Sequence, residues 1–318
     1  MNRLERILDS VRRRLEERQA RVPEEELEAR AAVTLQQSPR RGLRAAIAGG
    51  RHRPAPFIIA EIKRASPAAG VLARGGDPAA LDAGEQARRY ALGGAAAISV
   101  VTEPDHFHGD PGDLARVRPL GLPVLRKDFI FSRYQLLESA CWGADAVLLI
   151  ARILTAGQLE RLLREAAALG LEVLVEVNDE RDTERALAAG ATLIGINNRD
   201  LRTFQIDPQR TARLLPLLPP GVTVVAASGI ATPEQARRLH TLGVDACLVG
   251  EALMRSGDPA TWLARVARVR ARDDKAWRDH TDPDGGEGSP ATPPGSTGSP
   301  AAPRGGNGAG AVTGGGGT

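Results

Sequence analysis

Cysteine is almost missing from this chain: Cys141 and Cys247 are the only two among 318 residues. The first falls in a helix-like segment and the second in an apolar strand-like one, so no disulfide framework is expected and reduced, buried thiols are. The five histidines are scattered with no ligand spacing, and no metal site is expected. Aromatic residues amount to 3%, which leaves few stacking platforms for single-stranded nucleic acid. Long hydrophobic runs are absent too, since no window approaches the ~18 apolar residues of a spanning helix. Residues 1–6 lack the apolar core of a signal peptide, so no membrane association and a cytoplasmic location are expected. Neither a G-x-G-x-x-G between strand and helix nor a Walker loop occurs, which removes the dinucleotide and P-loop classes. Charge of one sign is not in excess: 42 Lys+Arg against 39 Asp+Glu give +3, with Arg and Glu interleaved rather than segregated. That pattern argues against a nucleic-acid partner, although a sequence pI of about 9.2 suits a small phosphorylated anion.

What is present fits one large α/β domain of roughly 250 residues with appendages. Leu4, Ile7, Leu8, Val11 and Leu15 recur at 3–4 spacing, the signature of an amphipathic helix, and a second helix is expected after Pro23. Residues 1–50 are therefore read as an N-terminal helical extension packed on the main body. Arg12, Arg13, Arg14, Glu16 and Glu17 are read as its solvated face. From 51 to 274 strand-like and helix-like stretches alternate. Strands are expected at 57–62, 96–101, 123–127, 145–150, 171–176, 192–197, 222–227 and 245–249, with helices at 78–92, 132–142, 155–169, 180–189, 232–242 and 258–270. Gly94, Gly143, Gly190 and Gly243 each precede a strand at a period of about 50 residues, as helix-ending glycines would. Eight tandem βα units predict a closed (β/α)₈ TIM barrel rather than an open doubly wound sheet. Residues 275–318 are dominated by Gly, Pro, Ala, Ser and Thr, and a disordered tail is expected there.

In such a barrel the chemistry sits at the C-terminal ends of the strands. The first strand runs Ile58-Ile59-Ala60-Glu61-Ile62-Lys63-Arg64-Ala65-Ser66-Pro67, placing Glu61 and Lys63 on one face. Read alone, that pair suits either a structural ion pair or a working one. The other strand ends supply Thr102 and Glu103, Lys127 and Asp128, Glu176, Asn197 and Asn198, Ser228 and Gly229, and Gly250 and Glu251. Two lysines, two glutamates and an asparagine then converge, as general acid–base chemistry requires. The small residues after the seventh and eighth strands, Ser228-Gly229 and Gly250, suit a phosphate cradle, with Glu251 contributing backbone rather than side chain.

The ordered motifs I-A-E-I-K-R-A-S-P, A-I-S-V-V-T-E with Phe107 and Gly109 following, P-V-L-R-K-D-F-I, E-V-N-D-E, I-G-I-N-N-R-D-L, A-S-G-I and L-V-G-E-A-L-M-R resemble indole-3-glycerol phosphate synthase of tryptophan biosynthesis. The resemblance covers residues 1 to about 270, including the N-terminal helical extension. It implies ring closure, decarboxylation and dehydration of a carboxyphenylamino deoxyribulose phosphate, with no cofactor. Carried onto this chain, Lys127 resembles the general acid and Glu176 its partner carboxylate. Glu61 and Lys63 resemble the pair assisting dehydration, and Asn197 the group positioning the hydroxyl-bearing chain. Ser66, Ser228, Gly229 and Gly250 resemble phosphate ligands, Arg199 a carboxylate contact, and Phe107 and Leu201 the apolar walls around the anilino ring. Transient contact with other tryptophan-pathway enzymes is compatible with this reading. One departure stands out: where the family reads E-S-G-I, this chain has Ala227 before Ser228. The expectation is an active but slower enzyme with less compensated lysines, and the alternative is a catalytically impaired paralogue that binds a phosphorylated ligand. The preceding isomerase of the pathway would be expected to use a Cys and an Asp at strand ends, whereas here the first strand ends in Glu61 and Lys63 and the cysteines lie elsewhere.

Overall fold

The computed structural model describes residues 2–49 and 55–268. Eight parallel strands close into a barrel in chain order: β1 (Phe57–Ile62), β2 (Ala97–Val101), β3 (Val124–Lys127), β4 (Ala146–Ile150), β5 (Glu172–Val177), β6 (Leu193–Asn197), β7 (Thr223–Ala227) and β8 (Ala246–Val249). Closure is made by β1 against β8, with Phe57 opposite Ala246 and Ala60 opposite Val249. Each expected strand is present, with ends that agree within one residue. A two-residue ribbon, Ala65–Ser66 against Gly70–Val71, follows β1 and shapes the loop there.

Three helices precede the barrel, α1 (Arg3–Arg21), α2 (Glu24–Gln37) and α3 (Leu43–Gly49). Among the described residues ten more lie among or after the strands: α4 (Ala83–Leu92), α5 (Pro104–Phe107), α6 (Gly112–Val117), α7 (Arg133–Cys141), α8 (Ala156–Ala168), α9 (Glu180–Ala188), α10 (Arg210–Leu214), α11 (Pro233–Thr241), α12 (Glu251–Arg255) and α13 (Pro259–Arg268). Reciprocal capping boxes start α1, α7, α8 and α11, using Asn2, Ser132, Thr155 and Thr232 with Glu or Gln three residues on. The glycines that repeat before the strands all adopt left-handed backbone, φ 96°, 82°, 84° and 104° at Gly94, Gly143, Gly190 and Gly243. A side chain at those turns would be strained, and this is why the repeat is legible in the sequence.

The apolar side chains divide into two shells. One lies between strands and helices, and the other fills the barrel interior through Ile59, Leu125, Leu148, Leu174, Val225 and Leu248. Leu4, Ile7 and Val11 of α1 join the inner shell, so α1 lies across the C-terminal mouth of the barrel. Burying a side chain of this size contributes about 1.5–3 kcal/mol, so packing rather than propensity holds α1 in place.

Two expectations need correction. A single helix over 78–92 is not formed: Pro78–Ala80 make a 3₁₀ turn, Leu81 and Asp82 are extended, and α4 begins at Ala83 under an Asp82 cap that accepts from Glu85 N at 3.0 Å. Proline suited the first turn, but Asp82 competes for the backbone as a cap and restarts the helix. Arg14 is not merely solvated, because its Nε donates to Asp105 Oδ2 at 2.7 Å. The short helices α3, α5, α6, α10 and α12 were not anticipated, since a single turn or two carries no periodicity to read. The expected disordered tail at 275–318 lies outside the described residues, as does the boundary at 50–54.

Candidate active site

A cavity of ≈ 580 Å³ opens at the C-terminal end of the barrel. Every candidate chosen from the sequence lines it: Glu61, Lys63, Ser66, Phe107, Lys127, Glu176, Asn197, Arg199, Leu201, Ser228, Gly229, Gly250 and Glu251. Thr102, Glu103 and Asn198, which also end strands, do not line it and serve the frame instead. Thr102 donates to Asp128 Oδ2 at 2.6 Å, and Glu103 accepts from the backbone N–H groups of Asp105, His106 and Phe107, starting α5 and fixing Phe107. Burial raises the Glu103 carboxyl despite those bonds.

Each lysine in the cavity has one acid. Lys63 Nζ lies 2.7 Å from Glu61 Oε1, while Lys127 Nζ lies 3.8 Å from Glu176 Oε2. Burial alone would raise the Glu61 carboxyl, but Lys63, Lys127 and Arg199 together hold it below the usual carboxylate range. Gly250 sits close against this pair: a Cβ there would require the Glu61 carboxylate to shift. Glu176 is buried, and its Oε1 has no hydrogen-bond partner among the described residues. A buried carboxylate oxygen left unpaired is costly, so this atom points to a role with a bound molecule.

Opposite these pairs stands the loop after β6. Asn197 Oδ1 accepts from Arg199 N at 3.0 Å, and Arg199 donates through Nη1 to Phe204 O at 3.0 Å. Arg199 Nη2 also lies 3.5 Å from Glu251, whose other oxygen takes Arg255 Nε at 3.2 Å. The Glu251 side chain is thus occupied by cations, consistent with a role for its backbone alone. Ser228 and Gly229 both have positive φ, 65° and 73°. For Ser228 that conformation costs about 1 kcal/mol. Asn198 holds it, donating from Nδ2 to Ser228 O at 3.1 Å while its Oδ1 accepts from Thr211.

Phe107 packs on Phe129, ring centroids 6.1 Å apart and tilted by 42°, forming an aromatic wall. Phe129, Phe204, Ile206 and Trp262 complete the apolar lining together with Leu4 and Ile7 of α1, and sequence reasoning missed all of these as site residues. The 3–4 spacing of Leu4, Ile7 and Val11 was the available signal for α1, but nothing in it identified the surface covered. Behind the wall, Arg126 is fully buried and anchors Asp128 at 2.8 Å, with its guanidinium 4.6 Å from the Trp142 ring. Neither cysteine lies in the cavity, and burial pushes the Cys247 thiol up to about 12, so no nucleophilic thiol is present.

The indole-3-glycerol phosphate synthase family model matches residues 4–266. Among curated relatives, the indole-3-glycerol phosphate synthase of Syntrophobacter fumaroxidans is 44% identical over 264 residues, 83% of this chain and 96% of that protein. The corresponding protein of Micrococcus luteus is 44% identical over 277 residues, 86% of this chain and all of its own length, 100%. In fold, 3-hexulose-6-phosphate synthase from Salmonella typhimurium aligns with a TM-score of 0.53 at 16% identity, covering 66% of this chain and 96% of that one. With a family model spanning the described barrel and relatives sharing nearly half their residues over most of the chain, the protein belongs to the indole-3-glycerol phosphate synthase family.

Proposed function

We infer that the protein is an indole-3-glycerol phosphate synthase, a carbon–carbon lyase that converts 1-(2-carboxyphenylamino)-1-deoxyribulose 5-phosphate into indole-3-glycerol phosphate, carbon dioxide and water. The observation that carries the reading is the pairing of Lys127 with a buried Glu176 whose second oxygen is unspent, on the floor of a cavity walled by Phe107 and Phe129. The walls bring the anilino ring against the sugar ketone, which lowers the entropic cost of closure. The ring carbon bearing the carboxylate attacks the ketone carbon, and Lys127 donates a proton to the carbonyl oxygen as its C–O π bond breaks. The carboxylate then leaves as carbon dioxide and its bonding pair restores the aromatic ring. In the last step the new hydroxyl departs as water on a proton from the Lys63–Glu61 pair, and the adjacent CH₂ gives a proton to a carboxylate.

Asn197 and Arg199 orient the chain and the substrate carboxylate in this scheme. The Ser228-Gly229 and Gly250-Glu251 turns, with Ser66, hold the phosphate. Fixed cations stabilise charge as it develops, without solvent rearrangement. No step calls for a cofactor. A ligand-binding role without catalysis rested on Ala227 alone; both lysines keep a carboxylate, and nothing favours that role.

The test is to incubate the purified protein with this substrate and follow indole fluorescence and carbon dioxide release. Both signals are expected. Neither would leave a binding role, and production of the substrate from phosphoribosyl anthranilate would point to the isomerase instead. Lys127→Met is expected to reduce turnover by at least ~10²-fold, the typical contribution of a general acid, with circular dichroism unchanged.

A further inference from the structure

We propose that α1 and α5 form a second anion-binding site, a basic antechamber beside the cavity mouth that takes up the oxyanion groups of the substrate before they enter. The proposal rests on the synthase reading for the identity of that substrate, and on independent geometry for the site. Two concavities run between the helices. One, of ≈ 230 Å³, is lined by Arg3, Arg6, Ile7, Pro67 and His106. The other, of ≈ 660 Å³, is lined by Arg6, Asp9, Ser10, Arg12, Arg13 and His106. They share Arg6 and His106, and the first shares Ile7 with the catalytic cavity, where Ser66 precedes Pro67.

The charge here is unlike that of an ordinary solvated helix face. Asp9 is the only acid lining either concavity, and Arg12 already pairs with it at 3.2 Å. Farther along α1 the arginines that meet the barrel are matched, Arg14 by Asp105 and Arg18 by Glu138. Among the described residues Arg6 and Arg13 have no carboxylate within ion-pair distance, and Arg3 lies over the Phe204 ring, 5.5 Å from its centroid, on the rim of the catalytic cavity. His106 adds a second kind of signal. Its Nε2 is enclosed but meets no hydrogen-bond partner among the described residues, while its backbone N–H is committed to Glu103. The unpaired guanidinium groups of Arg6 and Arg13, which line these concavities beside His106, are the donors an oxyanion would meet.

Function follows from position. A phosphate carrying about −1.5 to −2 charges is attracted to such a field, and clefts of one sign beside low-dielectric walls raise encounter rates by about 10–10³ at low ionic strength. The oxyanion has two sources, the substrate on its way in or free inorganic phosphate.

The experiment compares the full-length protein with its Arg6→Gln/Arg13→Gln variant, neither residue lining the catalytic cavity. At low ionic strength the variant is expected to lose roughly three- to tenfold in kcat/KM with kcat within about twofold, and the gap should close at high salt. Equal kcat/KM at low salt, or a loss that persists unchanged at high salt, overturns the proposal. Inorganic phosphate supplies a readout without turnover: at fixed ionic strength its stabilising shift of the melting midpoint is compared in the two proteins. A smaller shift in the variant assigns the site to free phosphate as well, whereas equal shifts beside a lower kcat/KM assign it to the substrate alone. A wild-type protein that releases no carbon dioxide fails the synthase reading instead, and the phosphate shifts then decide on their own, equal values overturning the site.

Discussion

Ala227 ends β7 with its Cα in register with Asn197 and Leu248, and its side chain is 5% exposed on the inner wall. The family pattern puts a carboxylate there. The Lys63–Glu61 contact at 2.7 Å is of hydrogen-bond length, whereas Lys127 and Glu176 at 3.8 Å are beyond it, so Lys127 is the less tightly compensated lysine. A further carboxylate at ~4 Å and an effective dielectric of ~20 would contribute up to about 4 kcal/mol before screening, most of it offset by desolvation of the new charge. Ala227→Glu is therefore expected to raise turnover about three- to tenfold, a barrier change of about 0.7–1.4 kcal/mol. The same change should lower the melting midpoint by a few degrees, because it places a charge on a wall packed with Val225 and Leu248. Initial rates of indole formation at saturating substrate check the first part. An unchanged or lower rate would mean that no acid is missed at this position.

Arg152, on the turn after β4, holds the loop that follows β6 against the start of α9. It donates from Nε to Asp182 Oδ2 at 3.1 Å, pairs with Asp179 and lies 3.4 Å from Asp200. Asp200 in turn accepts from Arg202 N at 2.7 Å and Thr203 N at 3.1 Å, closing the loop that carries Arg199, Leu201 and Phe204. Because none of these contacts reaches the lysines, Arg152→Gln is expected to raise KM several-fold with kcat within about twofold, and Arg152→Lys to recover part of the loss. The glutamine variant also leaves Asp182, already raised by burial, without its main cation, at a stability cost of about 3 kcal/mol. Steady-state kinetics and a denaturant titration separate the two effects; a fall in kcat with KM unchanged would refute the positioning role. Arg152 could not be found from the sequence, because its partners come from two segments distant from it in the chain, the start of α9 and the loop after β6. Lys127 and Glu176 could, since a barrel confines chemistry to strand ends and period-two alternation marks which side chains face inward. Phe204 and Ile206 escaped for the same reason as Arg152: they sit past a turn that bends the loop back over the mouth, with Arg199 bridging Ile206.

At the described carboxylates whose titration is displaced, burial competes with ion pairing and hydrogen bonding, and the outcome sets how stability depends on pH. Asp105, Asp110, Asp200 and Asp207 are held below the usual range by arginine or backbone partners, whereas burial raises Glu103 and Asp182. Glu61 belongs with the first group although it is buried, and of these carboxylates it is the one that lines the cavity. The unfolded carboxyl titrates near ~4.3, and the folded one lies below its ordinary value, so the unfolded chain binds the proton first as pH falls. The contribution of Glu61 is then fully present above ~pH 5 and is lost as pH falls through the folded value. The melting midpoint of wild type minus that of Glu61→Gln is therefore expected to stay constant between pH ~5.5 and ~8 and to decrease steadily on acidification. The offset at neutral pH does not matter, because Gln cannot titrate and the slope has one sign. A difference that grows as pH falls would place the Glu61 carboxyl above its ordinary value, and would mean that burial outweighs Lys63, Lys127 and Arg199 together.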